Sequence, residues 1–153
     1  VPGSRSAQVV DVTFDPVEVR QLVADLRGLA AGKVITAALR RNLRKAAEPI
    51  RQQVQANAAW STRIPAAVAI GTAFNKSSTG VFIRVNARKA PHARPFENSG
   101  LRGVFRHPVF ASDVWVAQQS RPFFFNETDK HAFEVEVAVA EAVEIAAVSA
   151  GFR

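Results

Sequence analysis

The chain has 153 residues, 48% of them apolar and 22% charged, which is enough for one core and too apolar for a disordered tail. Twenty Lys and Arg against thirteen Asp and Glu leave a net charge of +7, so nucleic acid and other acidic partners have to be considered. The absence of cysteine excludes disulfide scaffolds, zinc ribbons, thiol nucleophiles and iron–sulfur ligation.

The elements are expected in one domain over 1–153. Within 1–32, Val10, Val12 and Phe14 alternate with polar neighbours as in a strand, and Asp15-Pro16 starts a short helix to about Leu29. A long basic helix is expected over 33–58, where Ile35, Leu39, Leu43, Ala46, Ile50 and Val54 share one face and Pro49 introduces a kink. Residues 61–122 read as a β meander and loops. Ala67–Phe74 and Thr79–Val85 flank a polar linker of hairpin type, 86–109 is rich in Pro, Gly, His and Arg, and Val114–Gln118 resembles a further strand. From Phe133 the chain alternates as in a strand, yet it continues for about twice a strand's length, so an acidic C-terminal helix is expected over 123–150. Asn126 or Thr128 would cap its start and Gly151 its end.

Charge is distributed in blocks. Residues 1–32 sum to −1, 33–57 to +5, 61–122 to +7 and 123–150 to −5, with Arg153 adding +1. No apolar run approaches the ~20 residues that span a bilayer, and the start VPGSRSAQVVD lacks the form of a secretory signal. A soluble protein without a membrane partner is expected.

Convergent chemistry is scarce. His92, His107 and His131 lie 15 and 24 residues apart, so no pair has the one-turn spacing of helical metal ligands. Glu97 and Asp113 are the only carboxylates of the basic middle and would have to form any acid/base pair there. The plainer reading makes Glu97 a fold or interface acid that caps the following turn or pairs with a neighbouring Arg. Walker, dinucleotide-binding and nucleophile-elbow motifs are missing, and no catalytic, metal or cofactor site is expected.

Two binding readings compete. Arg84, Arg88, Lys89, Arg94, Arg102 and Arg106 are interleaved with Phe82, Phe96 and Phe105, as in a sequence-nonspecific DNA-binding module with phosphate contacts and stacking surfaces. Alternatively the Phe residues anchor the loop on the core, while the Arg residues meet acidic neighbours in the same or another subunit. Seven of the eleven Phe residues lie between Phe96 and Phe133, more than a core around one loop needs, so part of them is expected at an interface. In the Phe123, Phe124, Phe125 triplet, one ring is expected to meet another chain.

The ordered segments Trp60-Ser-Thr-Arg-Ile-Pro65, Ala93-Arg-Pro-Phe96-Glu97-Asn-Ser-Gly100, Arg106-His-Pro108-Val-Phe110 and Pro122-Phe-Phe, followed by a terminal helix, carry a resemblance. Over about residues 35–150 the chain resembles the gene-product-ten-like family of tailed-phage neck, head-to-tail connector and tail-completion proteins. It departs where Pro65 is followed by Ala-Ala-Val, the place of Thr-Gly-x-Leu in many members. The resemblance implies an α+β fold in which a small curved antiparallel sheet packs on a long helix, with an irregular central loop and a C-terminal helix. It implies a hexameric ring in the virion at the head–tail junction of a siphophage, made in the host bacterial cytoplasm. That ring would join head-completion proteins to the tail tube around double-stranded DNA, without catalysis. Opposite-signed blocks suit contacts between identical subunits, and intrachain pairing of the two helices would explain the same pattern.

Overall fold

In the computed structural model, residues 8–14, 32–74, 79–149 and 151 are described. The short helix expected to about Leu29, with Asp15 and Pro16 at its start, lies outside them.

Helix α1 (Gly32–Asn57) forms where apolar residues recur every third or fourth position. Leu39, Leu43, Ala47, Ile50 and Val54, followed by Ala58 in the turn after it, are buried in steps of 4, 4, 3, 4 and 4. The stripe passes through Ala47, leaving the expected Ala46 half-buried beside it. Pro49 lies inside the helix on its exposed side, where the lost donor is least costly. The turn Trp60–Arg63 folds back on α1: the Ser61 N–H donates to the Ala58 carbonyl at 2.9 Å, and the Ser61 hydroxyl accepts from the Ile64 N–H at 3.2 Å. A single-turn helix α2 (Ile64–Ala67) follows, with the Pro65 carbonyl held by the Gln55 side chain at 2.8 Å.

Strands β1 (Gln8–Phe14), β2 (Val68–Phe74) and β3 (Thr79–Asn86) make an antiparallel sheet of order β1-β3-β2, so β3 is central. Strand alternation sends Val81, Ile83 and Val85 into the core and Phe82 and Arg84 to the opposite face. On that outer face Phe82 is the register partner of Gly71, and a Cβ built on Gly71 would lie 2.3 Å from the Phe82 ring. The ring fills the space of the missing side chain, and the Arg84 guanidinium lies 5.5 Å from its centroid. Gly71→Ala is therefore expected to cost about 1 kcal/mol in urea denaturation by displacing the ring. In a Phe82→Ala background the same change is expected to be neutral or stabilising, and equal costs in both backgrounds would contradict the packing argument.

The region 86–122 is more ordered than expected from its composition. It contains a short helix α3 (Ala93–Glu97), a 3-10 turn (Asn98–Gly100) and a hairpin of β4 (Val104–Pro108) with β5 (Trp115–Gln119). The single helix expected over 123–150 is two: α4 (Phe125–Lys130) and α5 (Ala132–Ser149), separated at His131, whose φ and ψ are −102° and 4°. No proline or glycine marks that break, so periodicity alone reads through it. Gly151 adopts a φ of +88° with its N–H donating to Val148, the expected helix stop.

The result is an α+β fold in which α1 packs on β2 and β3, and α5 lies beside α1. Val135, Val139, Ala142 and Ala146 of α5 join the α1 stripe, the inward face of β3, Phe123 and Phe124 in one core. The two helices pack through apolar residues, while Arg40, Arg41, Arg44 and Lys45 of α1 and Glu134, Glu136, Glu141 and Glu144 of α5 are exposed. Among the described residues, the ion pairs are Arg51 with Glu48 and Lys130 with Glu127, and the His131 ring lies 2.7 Å from the Glu134 carboxylate and 4.0 Å from that of Glu127. The opposite-signed helical blocks are thus joined by no ion pair among the described residues.

Candidate interaction surface

The Ala93-x-x-x-Glu97-x-x-Gly100 segment is a clamp. Ala93 is fully buried, and Glu97 is 1% exposed with its carboxylate facing the start of α4. It accepts the backbone N–H groups of Phe123 at 2.7 Å, Phe124 at 2.8 Å and Phe125 at 3.0 Å. Those are orphan donors at a helix start, and one carboxylate satisfies three of them. Asn98, Ser99 and Gly100 then turn the chain through three successive left-handed conformations, with φ of 47°, 56° and 79°. At Gly100 a Cβ would meet the Asn126 Oδ1 at 3.2 Å, while the Asn126 amide donates to the Gly100 carbonyl at 3.3 Å.

Glu97 therefore performs the capping expected of Asn126 or Thr128. The Asn126 amide is turned to Gly100, and the buried Thr128 hydroxyl donates to the Phe124 and Phe125 carbonyls. The clamp also revises the expectation for the triplet. Phe123 and Phe124 are both buried and Phe125 packs against the same core, because φ and ψ of −113° and −68° at Phe124 bend the chain out of the extended form. Pro122, half-buried, precedes the bend.

From this clamp an aromatic series leads outward. Trp60 contacts Phe123 at 6.4 Å between centroids and Phe96 at 4.7 Å; Phe96 contacts Phe105 at 5.3 Å, and Phe105 contacts His107 at 5.9 Å. The Arg121 guanidinium lies 5.3 Å from the Trp60 ring, and the Arg121 backbone N–H donates to the Phe96 carbonyl at 2.8 Å. Ser120 fastens the hairpin base by accepting from the Gly103 N–H at 2.7 Å and donating to the Leu101 carbonyl at 2.9 Å.

One face of the hairpin thus carries Phe105 and His107, half-buried, with Val116 and Gln118, which are exposed, and the His107 Nε2 and Gln118 Oε1 lie 2.9 Å apart. The hairpin's outward face carries Val104, Arg106, Pro108, Trp115 and Ala117, all exposed. At the tip, hydrogen bonds from Val109 to Val114 and from Ser112 to Val109, with a left-handed Ala111, hold an ordered loop. That loop presents Phe110 98% exposed, between Val109 and Val114, which are also exposed. Sequence reading placed β5, as Val114–Gln118, but missed its partner β4 and so the hairpin, although Val-Phe-Arg-His is a strand-like run and only six residues separate the two strands.

A second unpartnered surface lies on α5. Phe133, Val137, Ala140, Glu144 and Val148 recur in steps of 4, 3, 4 and 4, and all are exposed, opposite the buried Val135, Val139, Ala142 and Ala146. A helix apolar on two opposite faces has one more face than its own core covers.

The six expected basic residues are spread over several elements. Arg84 lies on the outer sheet face, Arg88 and Lys89 in the turn after β3, Arg94 on α3, Arg102 at the hairpin base and Arg106 on its outward face. Glu97 and Asp113 do not form a pair: Glu97 is buried in the clamp, and Asp113 is exposed in the tip loop. A concavity of about 460 Å3 at the tip has Asp113 as the one ionisable group in its lining. Among the described residues, no three His, Asp or Glu side chains converge to hold a metal ion, and no helix is long and apolar enough to cross a membrane.

Comparison with protein-family models, curated proteins and solved structures gives no match.

The clamp region also carries a pH response. Burial, assisted by Arg63, holds the His92 imidazole below its ordinary range, and its Nε2 lies 3.4 Å from the Ser61 hydroxyl. Its neutral form belongs to the folded state, so its contribution is complete above about pH 6.5 and is lost as pH falls through the lowered value. The Lys130 hydrogen bond, with Asn57 beside it, holds Glu127 below the usual carboxylate range, adding a second loss at lower pH. Urea midpoints are expected to fall between pH 7.5 and 5.5, and His92→Gln is expected to flatten that interval. An unchanged slope in the variant would contradict the assignment.

Proposed function

We propose that the chain is a non-catalytic structural subunit that assembles with copies of itself into a ring at the head–tail junction of a tailed phage. There it would join head-completion proteins to the tail tube around the DNA channel. The observation that carries this reading is the fastened hairpin with its outward apolar face and Phe110 tip. A monomer gains nothing from ordering a loop around a phenylalanine in water, whereas a subunit that docks there does. The order of the Trp60–Pro65, Ala93–Gly100, Arg106–Phe110 and Pro122–Phe124 segments supports the placement in the neck, and a hexamer is the expected stoichiometry.

Portal and capsid genes upstream, with tube and tape-measure genes downstream, are the expected surroundings of the coding sequence. A virion reconstruction is expected to place the chain at the junction, and one that lacks it there would overturn the reading.

The DNA-binding module keeps one observation in its favour: Arg102 and Arg106 are exposed on the same hairpin as Trp115 and Phe110. That reading expects affinity to fall with a log–log salt slope of roughly −0.9 per phosphate neutralised on duplex DNA. Arg88→Ala, Lys89→Ala and Arg94→Ala together are expected to shorten the slope by up to three such increments. Undetectable binding at low salt would remove the module.

A further inference from the structure

The geometry points to a specific heterologous contact: the outward face of the β4–β5 hairpin of one copy docks on the exposed α5 stripe of the next. This deepens the ring reading and rests on it only for the closure of the assembly.

The two surfaces match in kind. The hairpin face sets Arg106 among Val104, Pro108 and Trp115, with Phe110 at the tip. The helix stripe sets Glu144 among Phe133, Val137 and Val148. Each is an apolar field around one central charge, Arg106 on the hairpin strands and Glu144 on the helix, and these two charges are opposite; Asp113 stands apart in the tip loop. Their surroundings agree, since Arg102 and Arg121 are exposed near the hairpin base, whereas α5 carries four Glu residues and no basic residue.

The dimensions also agree. Five strand residues extend about 17 Å, and the rise from residue 133 to 148 is about 22 Å, so the hairpin with its tip covers the stripe.

Charge disfavours the symmetric alternatives. Hairpin on hairpin would oppose Arg106 to Arg106, and α5 on α5 would oppose one row of Glu to another, with like charges held in a desolvated contact. Both surfaces are open in the same molecule, so neither satisfies the other within one chain. A contact that joins two different patches repeats from copy to copy, and it ends either in a closed ring or in an open filament.

The test is a charge-swap mixture read by sedimentation velocity and electron microscopy up to millimolar chain. Wild-type protein is expected to self-associate. Arg106→Glu alone and Glu144→Arg alone are each expected to weaken association about a hundredfold. Mixed one to one, the variants are expected to assemble again, because each hairpin then finds a helix of opposite sign. Both positions are exposed, so thermal unfolding of the variants should match the wild type. A wild type that remains monomeric throughout overturns the contact. So does a mixture that fails to assemble, or association lost with only one of the two changes, which would mark a symmetric contact or another partner for that surface. An open filament that follows the charge-swap pattern keeps the hairpin-to-helix contact and overturns the ring instead.

Discussion

Glu97→Ala is expected to lower the stability of the fold by about 3–5 kcal/mol, because it leaves three buried backbone donors without an acceptor. The magnitude follows from geometry more than from charge. The Phe123 and Phe124 N–H groups share one oxygen at 2.7 and 2.8 Å, and the Phe125 N–H takes the other at 3.0 Å, all from a side chain 1% exposed. Water cannot replace the carboxylate without opening the core that Phe123 and Phe124 fill. Glu97→Gln keeps one carbonyl acceptor and directs an NH2 group toward a donor, so about half of the loss is expected. Since a domain of this size is stable by about 5–15 kcal/mol, the alanine variant approaches the limit of folding. Urea denaturation monitored by Trp fluorescence measures the difference, and a loss under about 1 kcal/mol would show that the clamp does not hold α4.

Two phenylalanines thirteen residues apart are expected to respond in opposite ways. Phe123→Ala removes a ring that is 1% exposed and in contact with Trp60 and Phe124, so a loss of about 3–5 kcal/mol is expected. Phe110→Ala removes a ring that touches little within its own chain, and its effect on unfolding is expected to stay within about 0.5 kcal/mol. Its effect on self-association is expected to be large, at least tenfold, because the proposed contact buries this exposed ring against the next copy. Comparable unfolding losses for the two variants would show that the tip packs on its own chain. Equal association with and without the Phe110 ring would remove it from the contact.

Local periodicity explains which parts were legible in the sequence. The α1 stripe, the β1 strand and the β2–β3 pair each repeat over seven or more residues, and each lies close to where the pattern puts it. Elements of five residues, such as α3 and β4, are too short for a period to emerge from Pro- and Arg-rich surroundings. That Glu97 serves the fold was legible, but its partners were not: among the described residues it neither caps the following turn nor pairs with an Arg, since the groups it holds are 26 to 28 residues away and nothing local marks a carboxylate as the cap of a later helix. The Phe triplet misled because three consecutive rings are separated onto two faces only in extended backbone, and the clamp bends this one. Charge blocks indicated opposite-signed surfaces, but not that the helices bearing them would pack through their apolar faces and leave both charged faces to solvent.

The ring itself is tested most directly by the mass of the assembled species. Native mass measurement of the chain alone, and mixed with the head-completion and tail-tube proteins that the proposed function calls for, is expected to give one closed oligomer of fixed copy number. That oligomer should disappear when Phe110 and Trp115 are replaced by Ser. A chain that remains monomeric alone and with those partners would contradict the ring, and so would an oligomer indifferent to the hairpin.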